Sequence, residues 1–194
     1  MKVVIIDYKA GNIQSVKFAL ERIGIYATVT DNISEIISAD KVILPGVGEA
    51  SYAMTALKGK KLDNVIPSLT QPVMGICLGM QLLCKYSEEG DTNCLGIFEQ
   101  VAKLFPATKL KVPQIGWNTI TNLKTNLFKN IKENDYQYLV HSYYVELSNY
   151  TIAKTNYVID YSSALQKNNF YGVQFHPEKS GLAGQIILEN FIKL

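Results

Sequence analysis

Hydrophobic positions in the first half of the chain alternate between short unbroken runs and helical spacings. Val3–Ile6 is an apolar run of four residues, typical of a strand buried on both faces of a parallel sheet. Apolar residues then recur at intervals of three and four from Ile13 to Ile23, which predicts an amphipathic helix, and Gly24 stands where a C-terminal cap belongs. A strand followed by a helix is the repeating unit of an α/β fold.

This alternation continues to about residue 83. We predict further strands at Tyr26–Thr30, Lys41–Leu44 and Pro72–Ile76, and helices at Ala50–Lys58 and Cys77–Leu83. Crossover helices become scarce in the second half, where we predict strands at Phe98–Phe105, Lys109–Ile120, Tyr136–Val140, Tyr143–Leu147, Thr151–Thr155, Ser162–Gln166 and Phe170–Phe175 and a last helix at Leu182–Leu194. The expected fold is α/β, a mostly parallel sheet flanked by helices with additional antiparallel strands from the second half. No linker or repeat interrupts it, so we expect one domain over residues 1–194.

Composition excludes several classes of protein. Of the 194 residues 47% are hydrophobic and the net charge is +2, so the chain is not disordered. The basic residues are 18 lysines and the single Arg22, balanced by 17 acidic residues without a long run of like charge. We therefore expect no nucleic-acid binding and no cluster of arginine forks for phosphates. The N-terminal run Val3–Ile6 is too short for a signal sequence or a membrane span, so we place the protein in the cytoplasm, without membrane contact.

The cysteines limit the possible thiol chemistry to one residue. Cys77, Cys84 and Cys94 form an odd set without CxxC spacing, and the chain has only two histidines, so we expect no disulfide framework and no metal site. Cys84, on the predicted helix seven residues after Cys77, favours a core position. Cys94 lies in a polar loop without a partner.

The peptide Gly75–Gly79 follows a predicted buried strand, at the edge where open α/β sheets bind ligands. Its form GxCxG is the thiol counterpart of the GxSxG elbow, in which glycines let a strand turn sharply into a helix. Cys77 would then lie at a helix N-terminus, which favours thiolate and offers the Leu78 N–H as an oxyanion donor. The alternative is a tightly packed structural junction.

His176 and Glu178 form a second candidate pair. If strand geometry continues through Pro177, the two side chains project to the same side, as a base and its orienter would. Proline also favours an extended backbone at the residue before it. His141 has no adjacent carboxylate, so we assign it to structure or loop positioning, with support of a substrate loop as the functional alternative.

Two turns share the same predicted sheet edge. Pro45–Gly48, after the third strand, is the natural source of a second oxyanion amide, because glycine lets the backbone approach a ligand closely; an ordinary turn is the alternative. Gly11 and Asn12 end the first strand, although turn chemistry alone explains them.

Several of these peptides together resemble one family over nearly the whole chain. Pro45–Gly48, Gly75–Gln81 and Gln174–Ser180 are similar to class I (triad) glutamine amidotransferases, which have a flavodoxin-like fold. Three further stretches most resemble the glutaminase subunit of imidazole glycerol phosphate synthase, in histidine biosynthesis: Asp7–Asn12, Lys111–Asn118 and His141–Tyr144.

The resemblance implies a role for each site residue. Cys77 would be the nucleophile that forms a thioester with glutamine, His176 the base and Glu178 its orienter. The oxyanion would be surrounded by Val47, Gly48 and Leu78, and the substrate held by Gly48, Gln81, Ser142 and Tyr143. No cofactor is implied. The products would be glutamate and ammonia.

The resemblance also implies a partner. Family members deliver ammonia to a (β/α)8-barrel cyclase in a heterodimer, which makes imidazole glycerol phosphate and an aminoimidazole carboxamide ribotide. Because the last predicted helix ends at Leu194, we expect the acceptor site on another polypeptide. Gln114 stands where the family usually has histidine, and Lys9 where glycine is common.

Three other functions stay open at this point. A paralogous subunit could supply ammonia to another synthase, for example for sugar amidation in surface glycans. The chain could also be a non-catalytic regulatory binding module, or a cysteine hydrolase or peptidase on the same scaffold.

Overall fold

The computed structural model describes residues 1–9, 11–107 and 110–194. The strands of this part are β1 Val3–Ile6, β2 Thr28–Thr30, β3 Lys41–Leu44, β4 Val73–Ile76, β5 Cys84–Ser87, β6 Thr92–Asn93, β7 Phe98–Leu104, β8 Gln114–Thr119, β9 Tyr136–His141, β10 Tyr143–Val145, β11 Thr151–Asn156, β12 Asp160–Lys167 and β13 Phe170–Val173. The α-helices are α1 Ile13–Arg22, α2 Ile33–Ile37, α3 Ala50–Gly59, α4 Leu62–Val65, α5 Leu78–Leu82 and α6 Gly181–Lys193, and 3-10 turns cover Ile66–Ser68, Asn126–Phe128 and Pro177–Lys179. No helix of the described residues is long and apolar enough to cross a membrane.

A seven-stranded sheet in the order β11-β12-β13-β4-β3-β1-β2 forms the centre of the molecule. The five strands from β13 to β2 are parallel, and β12 and β11 continue the sheet in antiparallel pairing. A second sheet has the order β10-β7-β5-β6, and β8 and β9 form a separate two-stranded antiparallel sheet. The expected α/β architecture is confirmed, with the difference that most second-half strands build these smaller sheets.

Both faces of the central sheet are buried, as its continuous apolar runs require. Along β1, Val4 and Ile6 face the core shared with α3 and the second sheet, and Val3 and Ile5 face the core shared with α1 and α6. All four are at most 2% exposed. Burying one such side chain stabilises the fold by about 1.5–3 kcal/mol.

The segment after α5 differs from the sequence-based prediction. The helix ends at Leu82, and Cys84 is the first residue of β5, so its assignment to a helix was wrong. Cys84 pairs with Phe98 of β7, and its predicted burial is confirmed, since it is fully buried. A short apolar run fits a helix and a strand equally well, and here pairing with β7 decides.

Other differences are at element ends. β2 excludes the exposed Tyr26, and β13 ends at Val173 instead of Phe175. The predicted strand Lys109–Ile120 is realised as Gln114–Thr119, and its first residue lies outside the described residues. The short helices α2 and α4 were not predicted. The cap at Gly24 is confirmed, with φ +79° and its N–H donating to Glu21 O at 2.9 Å.

Candidate active site

Cys77 lies at the junction of β4 and α5 with φ +54°, a conformation that residues with side chains rarely adopt. Its N–H donates to Val173 O at 2.7 Å. The flanking glycines serve packing: a Cβ on Gly75 would lie 2.6 Å from the Gly79 carbonyl, and one on Gly79 would collide with Leu44 O. The unusual backbone at the thiol is therefore held by close contact between main chains, and the positive φ falls on the cysteine itself.

His176 and Glu178 meet across a 3-10 turn. Strand geometry does not continue through Pro177 as expected, because β13 ends at Val173 and Pro177–Lys179 is a 3-10 turn. His176 itself is extended, with φ −100° and ψ 92°, as proline requires of its predecessor. His176 Nδ1 lies 2.8 Å from Glu178 Oε1, and both side chains are buried.

The Glu178 carboxylate fixes the tautomer of His176, and Cys77 together with Glu178 favours the charged ring. Because a carboxylate only accepts, Nδ1 carries a proton, and Nε2 is the nitrogen left for chemistry. Asn12 Nδ2 also donates to Glu178 Oε1, at 3.4 Å. Burial lowers the pKa of His176, but neighbouring Cys77 and Glu178 outweigh it and raise this pKa to about 10. The ring is thus held as an imidazolium near neutral pH.

One cavity of about 390 Å³ collects most of the predicted site residues. Its lining includes Val47, Gly48, Cys77, Leu78, Gln81, Ser142, Tyr143 and His176. Glu178 stands behind His176, as an orienter would. All nine residues predicted from the sequence therefore lie in the cavity wall or directly behind it.

The loop after β3 brings backbone groups to this cavity. Gly48 has φ +100° and open space where a Cβ would lie, so the chain can approach a ligand there. A Cβ on Gly46 would strike the first turn of α5, which packs the loop against that helix. Tyr8 Oη donates to Pro45 O at 2.6 Å and holds the start of the loop. Across the cavity, Leu78 is the first residue of α5, where an amide has no acceptor within the helix.

The carbonyl of Tyr143 receives two side-chain donors. Gln81 Nε2 donates to it at 3.1 Å, and the same nitrogen donates to Gln174 Oε1 at 2.9 Å. His141 Nδ1 lies 2.7 Å from the same carbonyl oxygen. The cavity wall at Tyr143 is consequently fixed from both sides.

His141 is placed as a positioning residue. Its Nε2 lies 3.2 Å from Tyr161 Oη, and that hydroxyl lies 2.9 Å from the Gln114 amide. Burial lowers the pKa of His141 to about 4, so the ring is neutral. The position that departs from the family pattern, Gln114, thus contacts a buried network that leads to Tyr143.

The other two cysteines lie away from the cavity lining. Burial raises the pKa of Cys84 far above its usual range and that of Cys94 to about 12. Cys94 is a free cysteine in the loop after β6, as expected, although it also packs on the core, with its Sγ 3.6 Å from Thr92 O. Among the described residues, no group of three or more His, Cys, Asp or Glu side chains could hold a metal ion.

Sequence reasoning missed some cavity residues, above all Glu89. Its Oε2 accepts from Ala50 N at 2.8 Å, and burial raises its pKa. It lies in a polar turn between β5 and β6, where nothing in the local pattern distinguishes it from a solvated carboxylate. Pro113 and Val140 also line the cavity, and Gln174, quoted only as part of a motif, contacts Cys77.

Comparison with known proteins shows which family the chain belongs to. The model of the class-I glutamine amidotransferase family matches residues 4–194. The chain is 54% identical to imidazole glycerol phosphate synthase subunit HisH of Bacteroides fragilis, covering 100% of both chains. It is 45% identical to the subunit of the same name from Haemophilus influenzae, covering 100% of this chain and 98% of that one.

Solved structures agree at the level of fold. A crystal structure of a glutamine amidotransferase aligns with a TM-score of 0.77 at 15% identity, covering 98% of this chain and 97% of that one. The chain therefore belongs to the class I glutamine amidotransferase family of enzymes and, within it, to the HisH subunits of imidazole glycerol phosphate synthase.

Proposed function

We propose that this chain hydrolyses glutamine to glutamate and ammonia and passes the ammonia to a cyclase that makes imidazole glycerol phosphate and aminoimidazole carboxamide ribotide in histidine biosynthesis. One observation carries the proposal: a single cavity unites Cys77, His176 and the candidate oxyanion amides in a chain 54% identical to a HisH subunit. The whole chain, residues 1–194, acts as one glutaminase domain in the cytoplasm and needs no cofactor.

The first half-reaction forms a thioester. Cys77 Sγ attacks the side-chain amide carbon of glutamine, and the resulting oxyanion faces the Leu78 N–H and the Val47–Gly48 loop. His176 Nε2 gives its proton to the departing amine, which leaves as ammonia when the C–N bond breaks. Glu178 holds the ring by Nδ1 throughout, as its 2.8 Å contact supports.

The second half-reaction restores the enzyme. Water attacks the thioester carbon while His176 Nε2 takes one of its protons, and the tetrahedral intermediate expels Cys77 Sγ. The products are glutamate and the starting imidazolium–thiolate pair. The raised pKa of His176 supports this assignment, because the ring must be charged when ammonia leaves.

The amino-acid head of glutamine fits the far side of the cavity. Glu89 contributes a carboxylate to the lining, which complements an α-ammonium group. Gly48, Gln81, Ser142 and Tyr143 offer backbone and side-chain groups on the same walls. This arrangement needs no arginine, in agreement with a chain that has only Arg22.

The partner in the proposal is a (β/α)8-barrel cyclase on a second polypeptide, in a heterodimer. Ammonia released into water becomes protonated and loses its nucleophilicity, so a shielded path between the two sites is required. Ile115 and Trp117 of β8 are 64% and 56% exposed, next to the cavity residue Pro113, and such apolar exposure is typical of an interface.

Glutamate release tests the proposal. Co-expressed with the cyclase, the wild-type chain should turn over glutamine faster when the cyclase's phosphorylated substrate is present. Cys77→Ala should reduce the rate by about 10³-fold or more, whereas Cys84→Ala, outside the cavity, should keep most of it. Equal rates for Cys77→Ala and wild type would show that Cys77 is not the nucleophile. Co-purification of a different synthase would show that the ammonia serves a pathway other than histidine biosynthesis.

A further inference from the structure

Two buried glutamines connect the cavity wall to the sulfur of Cys77. Gln81 Nε2 donates to Tyr143 O at 3.1 Å and to Gln174 Oε1 at 2.9 Å. Gln174 Nε2 in turn lies 3.7 Å from Cys77 Sγ, within the range of a hydrogen bond to sulfur. Gln81 is 3% exposed and Gln174 is fully buried, so bulk water does not compete for these groups.

The direction of each hydrogen bond in the series from Tyr143 O through Gln81 and Gln174 to Cys77 follows from its acceptor groups. A carbonyl oxygen only accepts, so the atom of Gln81 that faces Tyr143 O is the NH₂ nitrogen. Its second hydrogen points to Gln174, which must therefore present its oxygen to Gln81. The NH₂ group of Gln174 is then left facing Cys77 Sγ, and the sulfur meets a donor.

His141 reinforces this order from the other side. Its Nδ1 lies 2.7 Å from Tyr143 O and fixes that carbonyl in the orientation that Gln81 requires. Turning over the Gln174 amide would place its NH₂ group against the NH₂ group of Gln81. The donor at the sulfur is thus set by groups that do not themselves touch it.

We propose that Gln174 donates a hydrogen bond to the Cys77 thiolate and stabilises it, with Gln81 as the residue that orients Gln174. The proposal rests on the function above, because it assumes that Cys77 reacts as a thiolate. A hydrogen bond to a charged acceptor is about twice as strong as one to a neutral acceptor, so the donor favours the thiolate over the thiol.

The pH dependence of Cys77 alkylation by iodoacetamide in the full chain tests the proposal. Gln174→Met keeps the volume and removes the donor. Its alkylation profile should move up by about one pH unit, so that on the rising limb of the profile its rate should be about tenfold lower than that of wild type at the same pH. The other titratable groups around the cavity are unchanged in the variant: His176, His141, Tyr143, Tyr8, Tyr161 and Glu89. Mass spectrometry separates modification of Cys77 from that of Cys84 and Cys94.

Two further variants keep the test decisive. Gln81→Met leaves Gln174 in place and should shift the profile in the same direction by a smaller amount, which covers the case that Gln174→Met fails to fold. Gln166→Met is the matched control: Gln166 bonds Tyr171 Oη away from the cavity, so its profile should equal that of wild type.

The outcomes separate this inference from the proposed function. Wild-type profiles in every folded variant of Gln174 and Gln81 would overturn it, even if glutamine is hydrolysed normally. If the alkylation profiles of the Gln174 and Gln81 variants shift but the wild-type chain does not hydrolyse glutamine, the result would support Gln174 as a donor and contradict the proposed glutaminase activity.

Discussion

His176 and Glu178 are separated by one residue, yet their contact of 2.8 Å is made across a 3-10 turn. The turn brings Glu178 Oε1 back to the Nδ1 side of the ring, and Asn12, the residue before α1, donates to the same oxygen. The carboxylate is thereby fixed behind the imidazole, with Nε2 directed to the other side.

Glu178→Gln should retain weak activity. The amide oxygen can still accept from His176 Nδ1, but the charge that stabilises the imidazolium is gone, so we expect kcat to fall by about 10²–10⁴-fold. Glutamate release measures this. Glu189→Gln on α6, where Glu189 pairs with Lys193, is the control and should stay near wild type. Wild-type kcat in Glu178→Gln would contradict the orienting role.

Titration of His176 should respond to the thiol. Because Cys77 raises the pKa of His176, Cys77→Ala should lower that pKa from about 10. The chain has two histidines, and the pKa of His141 is lowered to about 4, so nuclear magnetic resonance separates the rings. An unchanged titration of His176 in Cys77→Ala would show that the two groups do not interact.

The same raised pKa links His176 to stability. The folded value of about 10 is above the unfolded value of about 6.5, so protonated His176 contributes stability that is complete below pH about 6.5 and is lost as the pH rises towards 10. The melting temperature of wild type should thus fall more between pH 7 and pH 10 than that of His176→Gln. If the melting temperatures of wild type and His176→Gln fell equally between pH 7 and pH 10, protonated His176 would not contribute to stability.

Cys77 should alkylate before Cys84 when a glutamine-like electrophile is offered. Cys77 lines the cavity, whereas Cys84 is fully buried and burial raises its pKa. Peptide mass spectrometry after short exposure should find label at Cys77 and none there in Cys77→Ala. Preferential labelling of Cys84 would contradict the prediction that Cys77, at the turn between β4 and α5, is the accessible and reactive thiol.

We predict that the Gln114 side chain donates a hydrogen bond to Tyr161 Oη. Neutral His141 gives its Nδ1 proton to Tyr143 O, so its Nε2 must accept from Tyr161 Oη, and that hydroxyl has no second proton for Gln114. The structure has Gln114 Oε1 at this contact, and because the Tyr161 proton is already given to His141, we expect the amide to be turned over so that Nε2 donates to Tyr161. Gln114→Glu should lower the free energy of unfolding by about 1–3 kcal/mol.

Gln114→His is the matched control, since histidine can still donate to Tyr161, and it should unfold near wild type. Urea unfolding at pH 7 measures both variants. Equal stability of Gln114→Glu and Gln114→His would show that the donor order is wrong.

Lys9→Gly should stabilise the fold. Lys9 has φ +63°, a conformation that costs a residue with a Cβ roughly 1–2 kcal/mol. Glycine removes that cost but adds entropy to the unfolded chain, so we expect a net gain of about 0.5–1 kcal/mol and a melting temperature about 2 °C higher. Lys2→Gly, in the N-terminal segment without positive φ, should give no gain.

Much of the fold follows from the pattern of apolar residues. Strands such as β1 and β3 are buried on both faces, so their sequences are unbroken apolar runs with clear ends. Cys84 shows the limit of such reasoning, because the run Leu82–Cys84 is compatible with two structures and only its pairing with β7, distant in sequence, selects the strand.

The candidate site was predictable where a motif fixes local geometry. Cys77, His176 and Glu178 stood out by their spacing and neighbours, although the turn that joins the last two was not foreseen. Glu89 reaches the cavity through the fold of a distant loop, and the order of donors through Gln81 and Gln174 depends on a carbonyl from β10. Such contacts depend on tertiary structure and have no local signature.

The first turn of α5 approaches the backbone of β3 and β4 closely, because glycine occupies positions 75 and 79. The place of the Cys77 sulfur consequently depends in large part on contacts with main-chain atoms, which every amino acid possesses, so surrounding side chains can change without displacing it.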